Sequence, residues 1–455
     1  MKKFIIAVFL TLLQLITLGQ GNDLDKGQVG YVPSPENLKN REWFRDAHFG
    51  MFIHWGVSSV LGEEIGWALS GKNVNDYRQN MALFNPVKFD AAAVVKLAKD
   101  AGMKYITFTT RHHDSFSMFD TRFSDWGIMH TPYGKDVLKM LAGECQKQGL
   151  RLFCYYSLTD FFRPDYCQGN VKKGSGIQGG CDWNAYIQFM KDQLTEILTQ
   201  YGPIYGIWFD GHWDQVKQLE GGRNGNQLRA WKYDEIYKLI HDLQPGCMIV
   251  NNHHLNTFPG EDYQTFERDL PGSNTGGGYS ADAKIAQDLP LESSDIMGKS
   301  WGYVTGDTID RSVKELVHLL VGSAGLGANL LLNSGPTPGG EVRQSHRERL
   351  LGMGSWLKNY GETIYGTRKS FMKPADWGVA VEKGNKIYLH IIHPEKLDKQ
   401  LTLIHFPYKL DKAYRFESGQ SIIFQADQAA ATASIQISEL DSEAMDQVIV
   451  LEVSR

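Results

Sequence analysis

Short apolar runs alternate with amphipathic stretches from about residue 35 to 360, the pattern of β/α units wound around a parallel sheet. Strands are expected at 50–54, 105–110, 150–157, 204–210, 248–252 and 328–333. Each is short and rich in Ile, Val, Phe and Tyr, as suits strands buried on both faces. Helices fit between them. Asp90 can N-cap one that carries Ala93, Val94, Leu97 and Ala98 on one face and ends at Gly102. Val137, Leu138 and Leu141 mark the next, stopped by Gly149, and Ile187, Met190, Leu194, Ile197 and Leu198 a third, stopped by Gly202. Ile236, Leu239, Ile240 and Leu243 mark a fourth, stopped by Pro245-Gly246. The repetition favours a (β/α)8-type, TIM-like barrel, partly irregular because residues 260–300 break the rhythm. After Gly366 the pattern changes to strands at 378–381, 386–392, 401–406, 421–424, 435–437 and 447–453 with no convincing helix. Such a segment makes a small β-sandwich. The expected organisation is a barrel over 30–366 and a C-terminal β-sandwich over 367–455.

Composition adds limits. The 455 residues are 42% hydrophobic and 22% charged with a net charge of −5, so neither nucleic acid nor an anionic membrane is indicated as a partner. Aromatic residues make up 12%, which suits either an aromatic core or stacking on sugar rings. Residues 1–20 read as a signal peptide: Lys2 and Lys3 precede an apolar run from Phe4 to Leu18, too short to span a membrane comfortably. No cysteine follows, so a lipid anchor is not indicated, and no other run reaches transmembrane length. An exported chain, periplasmic or secreted, is expected. Of the five cysteines, Cys167 and Cys181 bracket a polar, Gly-rich loop and could be bridged in an oxidising compartment.

The candidate chemistry lies at the strand ends. The fourth strand closes on Trp208-Phe209-Asp210-Gly211, and a carboxylate there would sit at the barrel mouth where barrel enzymes place their reactive groups. Trp208, two residues earlier, would point to the same side. The other strands end at His54, at Arg111-His112-His113-Asp114, at Tyr155-Tyr156-Ser157 and at Asn251-Asn252-His253-His254. Five successive polar ends are hard to explain by packing, since unpartnered buried polar groups are costly. Adjacent residues on a strand face opposite ways, so the His-His pairs are poor chelators, and the cysteines lack zinc spacing. No metal or cofactor is expected. No Gly-x-Ser-x-Gly elbow and no phosphate-binding loop joins an expected strand directly to an expected helix. Carboxylates remain, and glycoside hydrolysis needs two of them. Asp210 suits one role by position; Glu267 and Glu292 are the main candidates for the other, and spacing alone does not choose between them.

These motifs resemble the α-L-fucosidases of glycoside hydrolase family 29. The segments are Phe49-Gly50-Met51-Phe52-Ile53-His54-Trp55-Gly56, Thr110-Arg111-His112-His113-Asp114, Tyr155-Tyr156-Ser157-Leu158 and Trp208-Phe209-Asp210-Gly211. Ser300-Trp301-Gly302-Tyr303, 329–336 and 361–366 continue the series in order. The resemblance implies a retaining, exo-acting enzyme that removes terminal α-L-fucose from an oligosaccharide or glycoconjugate. It implies Asp210 as nucleophile and favours Glu267 over Glu292 as general acid/base. It implies that His54, His112, His113, Tyr156, Trp208 and Trp301 hold the sugar, with Glu64 and Trp67 near a Glu-Trp element of the family. One departure stands out: Asn251-Asn252-His253 occupies the place of an Asn-Asp-Arg segment, so His253 would take the place of the arginine. The same fold acting on a relative such as α-L-galactose, or a non-catalytic fucose-binding homologue, are the alternatives.

Overall fold

The computed structural model describes residues 25–169, 181–215, 228–273, 283–437 and 440–454. The expected signal peptide lies outside them. Eight parallel strands form one sheet: β1 Phe49–Ile53, β2 Tyr105–Arg111, β3 Arg151–Ser157, β4 Gly206–Asp210, β5 Met248–Asn251, β6 Gln264–Glu267, β7 Leu291–Ile296 and β8 Ala328–Ser334. They pair in the order β5-β4-β3-β2-β1-β8-β7-β6, so the sheet curls into a barrel that lacks only a ladder between β5 and β6. The expected strands in this region are all present with ends shifted by up to two residues. The two that the periodicity misses are β6 and β7, reading Gln-Thr-Phe-Glu and Leu-Glu-Ser-Ser-Asp-Ile. Polar residues that turn inward erased the apolar run on which strand recognition depends.

The helices follow their end signals. Asp90 accepts from the Ala93 amide and caps Ala91–Asp100, and Gly149, in the left-handed region, ends Val137–Gln148. Helix Trp183–Gln200 is capped by Asp182, while Tyr233–Leu243 has no side-chain cap. Three further helices are Pro35–Ala47, Val313–Gly325 and Gln344–Tyr360, of which the last two complete the outer layer. The first of these plugs the bottom of the barrel: Phe44 and Ala47 pack with Tyr105, Phe153, Trp208 and Tyr263 in the interior core. Gly50 makes room there, because a Cβ on it would lie 2.4 Å from the Tyr105 ring.

Beyond the barrel a five-stranded and a three-stranded antiparallel sheet face each other over a core of Ile387, Leu389, Leu403, Ile435 and Leu451, which makes a β-sandwich. Here two expectations need correction. The strand placed at 421–424 runs instead from Phe424–Asp427, and Lys409–Arg415 is an additional strand, as is the two-residue Arg368–Lys369. The first lies largely on the surface, and the second alternates its few apolar positions with Lys, Asp and Arg. Cys167 and Cys181 form a disulfide, while Cys145, Cys154 and Cys247 are buried thiols. Among the described residues no helix is long and apolar enough to cross a membrane.

Candidate active site

The barrel's C-terminal mouth holds a pocket with about 480 Å³ of empty space, part of it open to solvent. Asp210, Glu267, His54, Trp67, His112, His113, Trp208 and Trp301 all line it, together with Phe52, Ile65, Tyr155, Trp213 and Asn252. Strand register explains much of this convergence. Tyr155 pairs with Trp208 and Ser157 with Asp210, so these side chains share the inward face.

Asp210 is held from several sides. Tyr155 donates its hydroxyl to Oδ2 at 2.9 Å, the Gly211 amide donates to Oδ1 at 2.8 Å, and Asn252 Nδ2 lies 3.3 Å from Oδ1. His113 Nε2 approaches Oδ2 at 3.5 Å. Burial, reinforced by negative Glu267, pushes the Asp210 carboxyl up to about 6. Glu267 ends β6 and accepts from the same Asn252 Nδ2 at 2.7 Å, with His254 Nε2 at 3.8 Å. Burial alone would raise Glu267, yet contacts from His254 and Asn252 outweigh it and hold the carboxyl below its ordinary value. One nitrogen 3.3 Å from the first carboxylate and 2.7 Å from the second keeps those two oxygens within about 6 Å of each other, compatible with the short spacing of retaining glycosidases.

The remaining walls are aromatic and imidazole. His54 Nδ1 lies 2.7 Å from Asn333 Oδ1, whose amide in turn donates to the Trp301 carbonyl at 2.6 Å. Nδ1–H therefore faces Asn333 and Nε2 is left as an acceptor. Burial lowers His54 to about 4 and His113 to about 3, and it drives His112 down as well, so all three are neutral near pH 7. The adjacent histidines both reach the pocket because they lie beyond β2, where a register shift between Thr109 and Arg111 breaks the strict alternation. His112 stacks on Tyr155 at 5.0 Å. His112, His113 and Asp210 each offer an atom within 4.8 Å of the others, close enough for a cation. His113 Nδ1 is engaged by Ser157 and Thr159 at 2.6 and 2.9 Å, which leaves Nε2 as the atom facing Asp210.

Four expected site residues lie elsewhere. Glu292 is fully buried and accepts from Tyr105 at 2.7 Å and Trp208 Nε1 at 3.0 Å. Its register partner on β6 is Thr265, while Glu267 pairs with Ser294. Glu292 thus sits two residues, or roughly 7 Å, below the level of Glu267 and does not reach the pocket. Tyr156 points outward, donating to Gln193 at 2.9 Å with Arg111 over its ring; its neighbour Tyr155 takes the inward place. His253 turns away to Glu261 at 3.0 Å. Glu64 does not line the pocket but accepts from the amides of Ile65, Trp301 and Gly302 at 3.0, 3.0 and 2.7 Å, anchoring the Trp301 loop from behind. Sequence reasoning placed Tyr155, Asn252 and His254 among the polar strand ends without giving them a site role, and it missed Trp213. Alternation back from Asp210 could have pointed to Tyr155 once the β3–β4 register was known.

The sequence profile of the Alpha-L-fucosidase family matches residues 20–362. Among curated proteins, the chain is 28% identical over 389 residues to tissue alpha-L-fucosidase of Mus musculus, covering 78% of this chain and 77% of that protein. It is 26% identical over 397 residues to alpha-L-fucosidase of Dictyostelium discoideum, covering 81% and 79%. Among solved structures, alpha-L-fucosidase isoenzyme 1 from Paenibacillus thiaminolyticus superposes with a TM-score of 0.78 at 30% identity, covering 92% of this chain and all of the other. A Bacteroides thetaiotaomicron alpha-L-fucosidase, solved as a trapped covalent intermediate, shares the fold with a TM-score of 0.77 at 23% identity, over 94% and 99% of the two chains.

Proposed function

The chain belongs to the α-L-fucosidase family, and on that premise we propose that it hydrolyses terminal α-L-fucose from glycans with retention, using Asp210 as nucleophile and Glu267 as general acid/base. The observation that carries this reading is the pair of carboxyls held by one amide in an aromatic-lined pocket. Asp210 would attack the anomeric carbon while Glu267 protonates the departing oxygen. Glu267, now ionised, would then take a proton from the water that displaces Asp210. Neutral His54 and His112 offer hydrogen-bonding nitrogens to sugar hydroxyls, and Phe52, Trp208 and Trp301 give an apolar wall for ring carbons and the C5 methyl. Before substrate arrives the proton favours Asp210 over Glu267. Sugar hydroxyls on Asp210 and a leaving group covering Glu267 would reverse that order, since burial raises a carboxyl and donors lower it.

Asp210→Gly should lose turnover by about 10³-fold or more while still folding, and added azide should restore release of the leaving group as a fucosyl azide. Full activity in the variant would overturn the assignment. Export to the periplasm or outside the cell is part of the same proposal. The leader at 1–20 supports it, and so does the Cys167–Cys181 bridge, which fits an oxidising compartment. N-terminal sequencing of the protein from cell fractions would check it; a cytosolic protein that still begins at Met1 would rule it out.

A further inference from the structure

We propose that Asn252, its amide held in one orientation by His254, sets the spacing of the Asp210–Glu267 pair and favours the ionised, water-activating state of Glu267. The proposal rests on the reading of those two carboxyls as the reacting pair. Asn252 is 2% exposed and its backbone amide donates to the Phe209 carbonyl at 2.8 Å, which ties it to β4 beside Asp210. Its Nδ2 carries two hydrogens, one for each carboxylate, at 3.3 and 2.7 Å. His254 Nε2 stands 2.9 Å from the Asn252 Oδ1. A donor there fixes which end of the amide faces the carboxylates, because the flipped amide would present an oxygen to two anions. His254 does this from a left-handed backbone, φ 60, a conformation that persists in a non-glycine residue only where its surroundings hold it.

The other groups facing Glu267 are Asp210, Tyr155, His54 and His113. Asp210 opposes a second negative charge, and His54 and His113 are neutral. Asn252 and His254 are therefore the groups that stabilise the Glu267 anion. In the second step water adds to the anomeric carbon, Glu267 accepts one of its protons, and the bond to Asp210 breaks with its electron pair returning to the carboxylate. An anionic Glu267 is what that step needs at its start.

The experiment compares kcat/KM against pH for 4-nitrophenyl α-L-fucoside in the wild type, Asn252→Ala, His254→Ala and His254→Gln. Losing donors lets the pair keep its last proton to higher pH, so the alkaline limb should move up by about one unit in both alanine variants. Single-turnover and steady-state rates should show the second step slowed by about 10-fold or more. His254→Gln, which can still donate to Asn252, should restore part of both effects. Lower kcat with an unmoved limb would reduce the two residues to structural support and overturn the proposal. If Asn252→Ala does not fold, the His254 pair carries the test. Glu267→Gln separates the two readings. A limb and a poor-leaving-group rate unchanged by that variant sink the acid/base assignment itself. A limb abolished by Glu267→Gln yet unmoved in the other variants sinks only the bridging role.

Discussion

Glu292 accepts hydrogen bonds from Tyr105, Trp208 and Thr265 without reaching solvent, and burial pushes it up to about 7. It supports the site through Trp208, whose ring stacks on Tyr155, the residue that donates to Asp210. Glu292→Gln keeps an acceptor and mimics the protonated acid, so it should retain most activity. Glu267→Gln should instead lose about 10²-fold or more on fucosides with poor leaving groups; equal losses in the two variants would contradict the assignment. The stability of the wild type relative to Glu292→Gln has a defined pH dependence. A folded-state value above the unfolded one means the native protein binds more protons between about 4.5 and 7, so stability falls as pH rises through that window. The variant should therefore melt above the wild type by a larger margin at pH 8 than at pH 5, a difference on the order of 3 kcal/mol. Thermal melts at the two pH values measure it.

At the level of elements, the strands that could be read from the sequence are those that keep apolar residues along at least one face, such as Ile106 and Phe108 in Tyr105–Arg111 and Ala328, Leu330 and Leu332 in Ala328–Ser334. Asp210 was legible for the same reason: a single charge ending an apolar run stands out. β6 and β7 were not, because Thr265 and Glu292 are satisfied by partners on other strands, and Gln264 by the loop at Lys284 and Ala286, which periodicity does not show. For the same reason Glu267 and Glu292 could not be ranked by spacing, and Tyr155 could not be told from Tyr156. Asn252 and His254 depend on one loop's turn and a positive φ, which leave no trace in composition. The loops after β1 and β7 act as one cover. The Thr305 amide donates to the Gly62 carbonyl at 2.9 Å, and Glu64 holds the amides of Trp301 and Gly302. Glu64→Ala leaves those amides without their acceptor and frees Trp301, so KM for a simple fucoside should rise about 10-fold or more with a smaller change in kcat. An unchanged KM would show that Trp301 is positioned without the clamp. Gly66 belongs to the same cover, with φ 72 and a Cβ position 2.1 Å from His112 Nδ1, which leaves no space there for a larger residue.

For the whole molecule, the sandwich is fused to the barrel rather than hung from it. Val379, Val381, Tyr388, Val448 and Val450 belong to the same buried core as the barrel's outer helices, while Ala380, Ile387, Leu389 and Leu451 on the opposite face build the sandwich core. Gly325, at the end of helix Val313–Gly325, lets strand Gly378–Lys383 approach so closely that a Cβ would lie 2.5 Å from Val379. Polar contacts pin the joint: His390 faces Asp446 at 2.6 Å and the Thr363 carbonyl at 3.2 Å, and Tyr388 donates to Glu362 at 2.8 Å. A chain ending at residue 366 would leave the apolar side of this joint in water, at roughly 25 cal/mol for each Å² uncovered. That truncation should be insoluble or molten although every pocket residue is retained. In the intact protein, activity, tryptophan fluorescence and far-ultraviolet ellipticity should be lost together in one thermal transition. Val379→Asp, which buries an unpaired charge in the joint, should lower that single transition by several degrees and leave kcat of the folded enzyme unchanged. Two separated transitions, or a soluble and active barrel without the sandwich, would show that the two cores fold independently.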